Sequence, residues 1–116
     1  MRVHRIMPIV SVENLDQAIE AYRRVLDLDV IMNHGWIATL SPGDASTPQL
    51  GLMTKDRTAP CNPAVSIEVD DVDAAHAEAV AAGFEIVHPL SDEEWGVRRF
   101  FFRDPQGAVI NVLTHR

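Results

Sequence analysis

The chain has 116 residues, enough for one domain with its own core, and its 47% hydrophobic and 23% charged residues are typical of a globular protein. Its formal net charge of −7 argues against nucleic acid as a partner, because an acidic surface repels phosphate. A single cysteine, Cys61, excludes an internal disulfide, and no stretch resembles a secretion signal or a membrane span, so we expect a cytoplasmic protein without membrane contact.

The first half of the chain begins with an apolar, β-branched segment, Val3 to Val12, which predicts a strand. Asn14 followed by Gln17 resembles a capping box, and the apolar residues that follow recur at helical spacing, so a helix is expected over residues 14–28. Turn and loop residues then separate three shorter strands. These strands are expected at 29–33, 36–40 and 49–54, with a turn at His34-Gly35 and a loop at 41–48.

The same order of elements returns after residues 56–63, the one linker-like stretch. A strand is predicted at 64–69, followed by a helix that Asp71 caps and Gly83 ends. Two further strands flank Asp104-Pro105-Gln106-Gly107, a strong turn sequence. The predicted elements after the helix are a strand at 84–88, a loop at 89–94, and strands at 97–103 and 108–114.

The two halves match in sequence as well as in order. Val12-Glu13-Asn14-Leu15-Asp16 aligns with Val69-Asp70-Asp71-Val72-Asp73. One helix and four strands cannot cover their own sheet, whereas two such units can enclose a concave space. We therefore predict an α+β fold with a single domain over residues 1–116, built from two tandem βαβββ modules at 1–55 and 64–116 that a linker at 56–63 joins.

These motifs resemble the glyoxalase/bleomycin resistance protein/dioxygenase superfamily, also called the vicinal oxygen chelate superfamily. The most specific stretch runs from Trp95-Gly96 through Arg99-Phe100 to Asp104-Pro105-Gln106-Gly107, and is similar to the family's Trp-Gly, Arg-Phe and Asp-Pro-x-Gly signature. The resemblance covers nearly the whole chain. It implies a cup-shaped mixed sheet with the helices outside, and a homodimer.

Enzymes of this family place four metal ligands in the cup, usually His, Glu, His or Gln, and Glu. Counting from the shared motifs puts Met7, Gln49, Ala64 and Asn111 at those positions. Ala64 has no donor atom, the Met7 thioether is unsuited to hard cations, and the two amides carry no negative charge. The resemblance therefore implies the metal-free branch of the family, and we expect no metal and no cofactor.

Alternation along the strands assigns side chains to the inside of the cup. With the two tryptophans, they form a mixed apolar and polar surface suited to a small molecule. The candidate ligand-binding residues are Met7, Ile9, Trp36, Gln49, Met53, Ser66, Glu68, Trp95, Arg99, Phe101, Asn111 and Leu113. Phe100 and Phe102 are expected to pack under a helix, and a core or dimer contact is the alternative for both tryptophans.

Glu68 is the one candidate catalytic residue, because a carboxylate in an apolar cup could act as a general base. The alternative, which we favour, is an ion pair with Arg5 or Arg99, or exposure to water. The five histidines lack the spacing of a metal pair, so we interpret them as surface residues.

The sequence thus predicts a metal-independent small-molecule-binding protein, with antibiotic sequestration as one form of that function. An acidic cup edge favours a cationic or aromatic ligand. The alternative is an enzyme of the glyoxalase type, a lyase, isomerase or dioxygenase that uses a divalent metal or metal-free acid–base chemistry. A third alternative is a cup filled by its own side chains, in a structural or regulatory protein.

Overall fold

The computed structural model of the chain describes residues 1–43 and 48–116. Over these residues two helices and eight strands form in mixed parallel and antiparallel pairing, which confirms the α+β class and the repeated order of elements. In chain order they are β1 (Val3–Ser11), α1 (Leu15–Leu26), β2 (Asp29–Asn33), β3 (Ile37–Ser41), β4 (Leu50–Met53), β5 (Val65–Val69), α2 (Val72–Ala81), β6 (Ile86–Asp92), β7 (Val97–Arg103) and β8 (Val109–His115). The loop expected at 41–48 lies partly outside the described residues. Neither helix is long and apolar enough to span a membrane.

Contacts between residues divide the chain into two units. The α1 unit comprises Met7–Asn62, and the α2 unit comprises Met1–Ile6 together with Pro63–Arg116. The predicted modules, at 1–55 and 64–116 with a linker at 56–63, were defined from the sequence repeat. The units here are defined from contacts between residues, so the module boundaries stay a prediction.

In the α1 unit the strand order is β2-β3-β4-β1, with β1 parallel to β4 and the other pairs antiparallel. The predicted cap is present, because the Asn14 side chain accepts a hydrogen bond of 2.9 Å from the backbone N–H of Gln17. Helix α1 ends at Asp27, which adopts the left-handed conformation at φ 55°. Leu15 and Ile19 of α1 pack on one face of the sheet with Ala38, Leu40 and Leu52.

In the α2 unit the strand order is β5-β8-β7-β6, with β5 parallel to β8 and the other pairs antiparallel. Asp71 caps α2 by accepting a 3.0 Å hydrogen bond from the backbone N–H of Ala74. The helix packs on a buried cluster that includes Val112 and the fully buried Phe100. The predicted turn forms because the Asp104 carboxylate accepts from the N–H groups of Gln106 and Ala108.

Strand β6 corrects one sequence-based prediction. The sequence predicts a loop at residues 89–94, but β6 continues through Pro89 to Asp92. It lies at the end of the strand order, and its pairing with β7 shifts register between Ile86 and His88 and again between His88 and Ser91. An edge strand with such irregularities tolerates a proline, because it does not need a regular hydrogen-bond ladder at every residue.

Candidate functional site

The strand register of the α2 unit aligns several predicted site residues on one face of its sheet. Ser66, Asn111, Phe101 and His88 are successive partners across β5, β8, β7 and β6. A second row aligns Glu68, Leu113 and Arg99. We call this side, defined by the residues of these two rows, the helix-free face.

The opposite face carries the residues that alternate with these. Phe100 and Val112 belong to the cluster beneath α2, and Phe102 packs against it. The predicted placement of Phe100 and Phe102 under a helix is therefore confirmed, and Arg99 and Phe101 lie on the other side of β7. Whether the helix-free face binds a ligand stays a prediction.

Asn111 has a buried carbonyl oxygen with unmet hydrogen-bonding capacity. The residue is 7% exposed, and its side-chain N–H donates to the Ser66 hydroxyl at 3.0 Å. Among the described residues, no donor reaches the other end of the amide, Oδ1. A buried carbonyl without a donor costs about 1–3 kcal/mol, so this atom favours any ligand that brings an O–H or N–H group to it.

A cluster of three buried ionisable side chains lies on the same unit. The Glu93 Oε1 atom is 3.2 Å from His88 Nε2 and 3.3 Å from Arg99 Nε. The three side chains are only 6%, 5% and 3% exposed. The prediction that His88 is a surface residue is wrong, because the ring is buried against Phe101, with Nδ1 beside the Pro89 carbonyl oxygen and Nε2 beside Glu93.

Both ring nitrogens of His88 face oxygen atoms in this cluster. His88 Nδ1 lies 2.7 Å from the backbone carbonyl oxygen of Pro89, which can only accept, so Nδ1 carries a hydrogen. Its Nε2 faces Glu93 Oε1 at 3.2 Å. The N–H of Arg99 donates to the same oxygen at 3.3 Å, so one carboxylate atom joins the imidazole and the guanidinium group.

Aromatic rings enclose the guanidinium group of Arg99. Its central carbon is 5.0 Å from the centroid of the Trp95 ring and 4.8 Å from that of Phe101. Such contacts stabilise a cation by about 0.5–2 kcal/mol and hold its plane in place. Trp95, which was assigned to ligand or interface contact, thus lies at this cluster.

Glu68 is engaged by two basic side chains. Its Oε1 is 3.3 Å from Arg5 Nε and its Oε2 is 2.8 Å from His115 Nδ1, with 22% of its side chain exposed. The favoured alternative of an ion pair with Arg5 is confirmed. Arg99 pairs with Glu93 instead, and His115 is a partner that the sequence did not indicate.

The candidates in the α1 unit form a mainly apolar group. Met7, Ile9 and Met53 are buried together, with Trp36 packed against them. Gln49 is also buried. The core contact that was the alternative for Trp36 is therefore present, and a contact of these residues with a ligand stays a prediction.

The four residues expected at the family's metal-ligand positions do not suit a divalent ion. Ala64 has no donor atom, and the Met7 thioether lies 3.9 Å from the hydroxyl of Thr39. Asn111 and Gln49 offer only neutral amides, which do not supply the charge that offsets the dehydration of a hard cation. Across residues 1–43 and 48–116, no three or more His, Cys, Asp or Glu side chains are placed to hold a metal.

Comparison with known proteins supports the resemblance. The family model of the Glyoxalase/Bleomycin resistance protein/Dioxygenase superfamily matches residues 2–112. No curated protein sequence matches the chain significantly.

Several solved structures share the fold. An NAD-dependent benzaldehyde dehydrogenase from Legionella pneumophila is 19% identical, with a TM-score of 0.77 over 96% of this chain and 99% of that chain. A glyoxalase/bleomycin resistance protein/dioxygenase superfamily member from Vibrio splendidus 12B01 is 12% identical, with a TM-score of 0.68 over 99% and 100%. Methylmalonyl-CoA epimerase from Mycobacterium tuberculosis is 22% identical, with a TM-score of 0.68 over 98% and 87%. At these identities the likeness concerns the fold alone.

Proposed function

Since this chain belongs to the Glyoxalase/Bleomycin resistance protein/Dioxygenase superfamily, we propose that it is a metal-independent small-molecule-binding protein. Its ligand contacts the helix-free face of the α2 unit, and antibiotic sequestration is the specific role we propose. The observation that carries the proposal is the buried carbonyl oxygen of Asn111, which has no donor within the described residues. A ligand that donates a hydrogen bond to such an oxygen is favoured over one that cannot, and this difference gives a binding protein specificity.

The chemistry of the face defines the ligand. A hydroxyl, amide or ammonium group of the ligand donates to Asn111 Oδ1. The family position that usually provides an acidic metal ligand thus provides a neutral acceptor for the ligand itself.

The absence of charge at the family's metal positions supports the metal-independent form of this proposal. Replacing carboxylates and histidines by Met7, Gln49, Ala64 and Asn111 removes both the negative charge and the ligand types that hold divalent ions. The same replacements leave apolar and amide groups, which contact organic ligands well.

Thermal shift measurements test this proposal with a library of cationic aromatic compounds and aminated antibiotics. The Asn111→Leu variant has a side chain of similar size without the carbonyl oxygen. Ile110→Val, on the same strand but packed toward α2, is the matched control. We expect compounds that raise the melting temperature of the wild type and of Ile110→Val but not of Asn111→Leu. If no compound stabilises the wild type, or if Asn111→Leu responds equally, the proposed site is wrong.

A second candidate function is metal-free acid–base catalysis of the lyase or isomerase type. It is favoured by the buried contact between His88 and Glu93, an imidazole and a carboxyl group in the unit that also carries Asn111. Glu68 is a weaker base candidate, because both of its oxygens are engaged. Methylmalonyl-CoA in D₂O is a suitable first substrate, and NMR detects loss of its α-proton. Exchange that Glu93→Gln abolishes and Glu68→Gln preserves would favour catalysis by the cluster; no exchange in the wild type would reject this candidate for that substrate.

We also propose that the protein is a cytoplasmic homodimer, as its family resemblance and single cysteine suggest. Sedimentation equilibrium tests the oligomeric state. A mass of about twice the 12.9 kDa chain is expected, and a monomer at every concentration would contradict it.

A further inference from the structure

The α2 unit contains a cavity on the side of its sheet opposite the helix-free face. It has a volume of 390 Å³ and lies between α2 and the strands beneath it. Cavities of about 300–1,000 Å³ are the usual size for small-molecule sites, and an engineered apolar cavity of about 150 Å³ already takes up benzene. The space is therefore large enough for a two-ring or medium-length apolar group.

The sequence repeat explains why this space exists. The alignment that pairs Val12 with Val69 also pairs Tyr22 of α1 with Ala79 of α2. Tyr22 packs against the core of the α1 unit, whereas Ala79, which belongs to the buried cluster beneath α2, presents only a methyl group to the cavity. The exposed Ala82 lines the margin of the cavity. The second copy of the helix thus lacks the side-chain volume that fills the equivalent space in the first.

The lining defines the chemistry of an occupant. Phe84, Phe100 and Phe102 provide aromatic walls, with ring centroids 5.8 Å apart for Phe84 and Phe102 and 6.1 Å apart for Phe100 and Phe102. Among the lining side chains, Glu78 is the one ionisable group, and it is exposed to solvent at the margin. Met1 also lines the cavity, and its N-terminal ammonium group interacts with the carboxylate of Asp70. A ligand with an apolar part would match the apolar walls, and a positive charge on the same ligand would match the Glu78 carboxylate.

We propose that this cavity is a binding site for small amphiphilic amines, with the apolar part between α2 and the sheet and the ammonium group beside Glu78. The site is separate from the helix-free face, because the two lie on opposite sides of one sheet. The net charge of −7 adds a general attraction for cations and disfavours the corresponding carboxylates.

Calorimetric titration with three probes of equal body size tests the site: 1-naphthylmethylamine, 1-naphthylmethanol and 1-naphthoate. The amine is expected to bind most tightly and with a negative heat-capacity change, which marks burial of apolar surface. The affinity of the amine should exceed that of the alcohol by about threefold, since an exposed ion pair contributes little. The naphthoate should have the lowest affinity of the three. No saturable binding of the amine would overturn the proposal.

Variants on α2 locate the binding. Ala79→Leu fills the cavity and should lower the affinity for the amine by about tenfold or more. Ala82→Leu, at the margin and exposed, gives the same test if Ala79→Leu does not fold. Ala77→Leu is the matched control, because Ala77 is exposed on the same helix and does not line the cavity. Glu78→Gln should remove the preference for the amine over the alcohol.

The outcomes also separate this site from the proposed function. Asn111→Leu should leave binding of the naphthyl amine unchanged, whereas Ala79→Leu should leave the response of the helix-free face to its own ligands unchanged. Equal affinity of the amine for Ala79→Leu, Ala82→Leu and the wild type would overturn the proposed cavity site and would not affect the proposal for the helix-free face.

Discussion

Replacement of Glu93 is the perturbation that most directly probes the buried ionisable cluster. Glu93→Ala removes the carboxylate that faces His88 and Arg99, so two basic groups lose the acceptor they share at 3.2 and 3.3 Å. Glu93→Gln keeps the shape but not the charge, and because both contacts are to Oε1, its amide can place either an oxygen toward Arg99 or an N–H group toward His88. The pair of variants therefore separates the loss of charge from the loss of hydrogen bonding.

The structure gives the size of the expected effect. Breaking a buried ion pair by removing one partner costs about 3–5 kcal/mol, because the remaining charge stays buried. Glu93→Gln should cost roughly half as much, since hydrogen bonds to charged groups contribute about 1.5–3 kcal/mol each and the amide retains a neutral version of one of them. With an unfolding entropy of about 2.1 cal/mol/K per residue, 116 residues give about 4 °C per kcal/mol. Glu93→Ala should then melt about 12–20 °C below the wild type.

Calorimetric melting and urea unfolding measure this effect, with Glu94→Ala as the control. Glu94 is the adjacent residue and is exposed, so the same substitution there should change stability by less than about 0.5 kcal/mol. If Glu93→Ala is as stable as Glu94→Ala, the cluster does not stabilise the α2 unit and this reasoning is refuted.

Three further changes test other parts of the structure. Phe100→Ala should destabilise the fold by about 3–5 kcal/mol in urea unfolding, because the ring is fully buried beneath α2; a cost below about 1 kcal/mol would contradict this packing. Gly51→Ala should cost about 1 kcal/mol, since its Cβ would lie 2.5 Å from the Ile9 Cδ1 atom, and an unchanged melting temperature would show that Ile9 moves freely. The hydrogen bond from Arg98 lowers the pKa of Asp73 below its usual value, so this contact stabilises the fold above the unfolded pKa and is lost as the pH falls through the folded one. Asp73→Asn should therefore melt below the wild type at pH 7, with a difference that narrows below about pH 4; a difference independent of pH would refute that origin.

Local sequence signals predicted most of the secondary structure because they act over a few residues. Asn14 and Asp71 begin the two helices by accepting hydrogen bonds from residues three positions later, and such spacing is visible in the sequence. The turn at Asp104 is equally local. The extension of β6 through Pro89 was missed because its position at the end of the strand order is a property of the assembled sheet.

Contacts between distant residues limited the prediction of the site. Alternation along β7 and β8 indicated which residues share a face, since the period of two is fixed by the backbone. The pairing of Glu68 with His115, 47 positions later, has no local signal. Neither does the burial of His88, which depends on Glu93 and Arg99 meeting it across the irregular pairing of β6 and β7.

Metal content of the purified protein is the most direct test of the central claim that this chain binds its ligand without a metal ion. Elemental analysis before and after dialysis against a chelator, with melting curves in added Zn²⁺, Mn²⁺, Ni²⁺ and Fe²⁺, gives the answer. The account predicts substoichiometric metal and an unchanged melting temperature on adding each ion. Stoichiometric retained metal, with stability that falls on chelation and returns on addition, would contradict it and favour a metal-dependent enzyme.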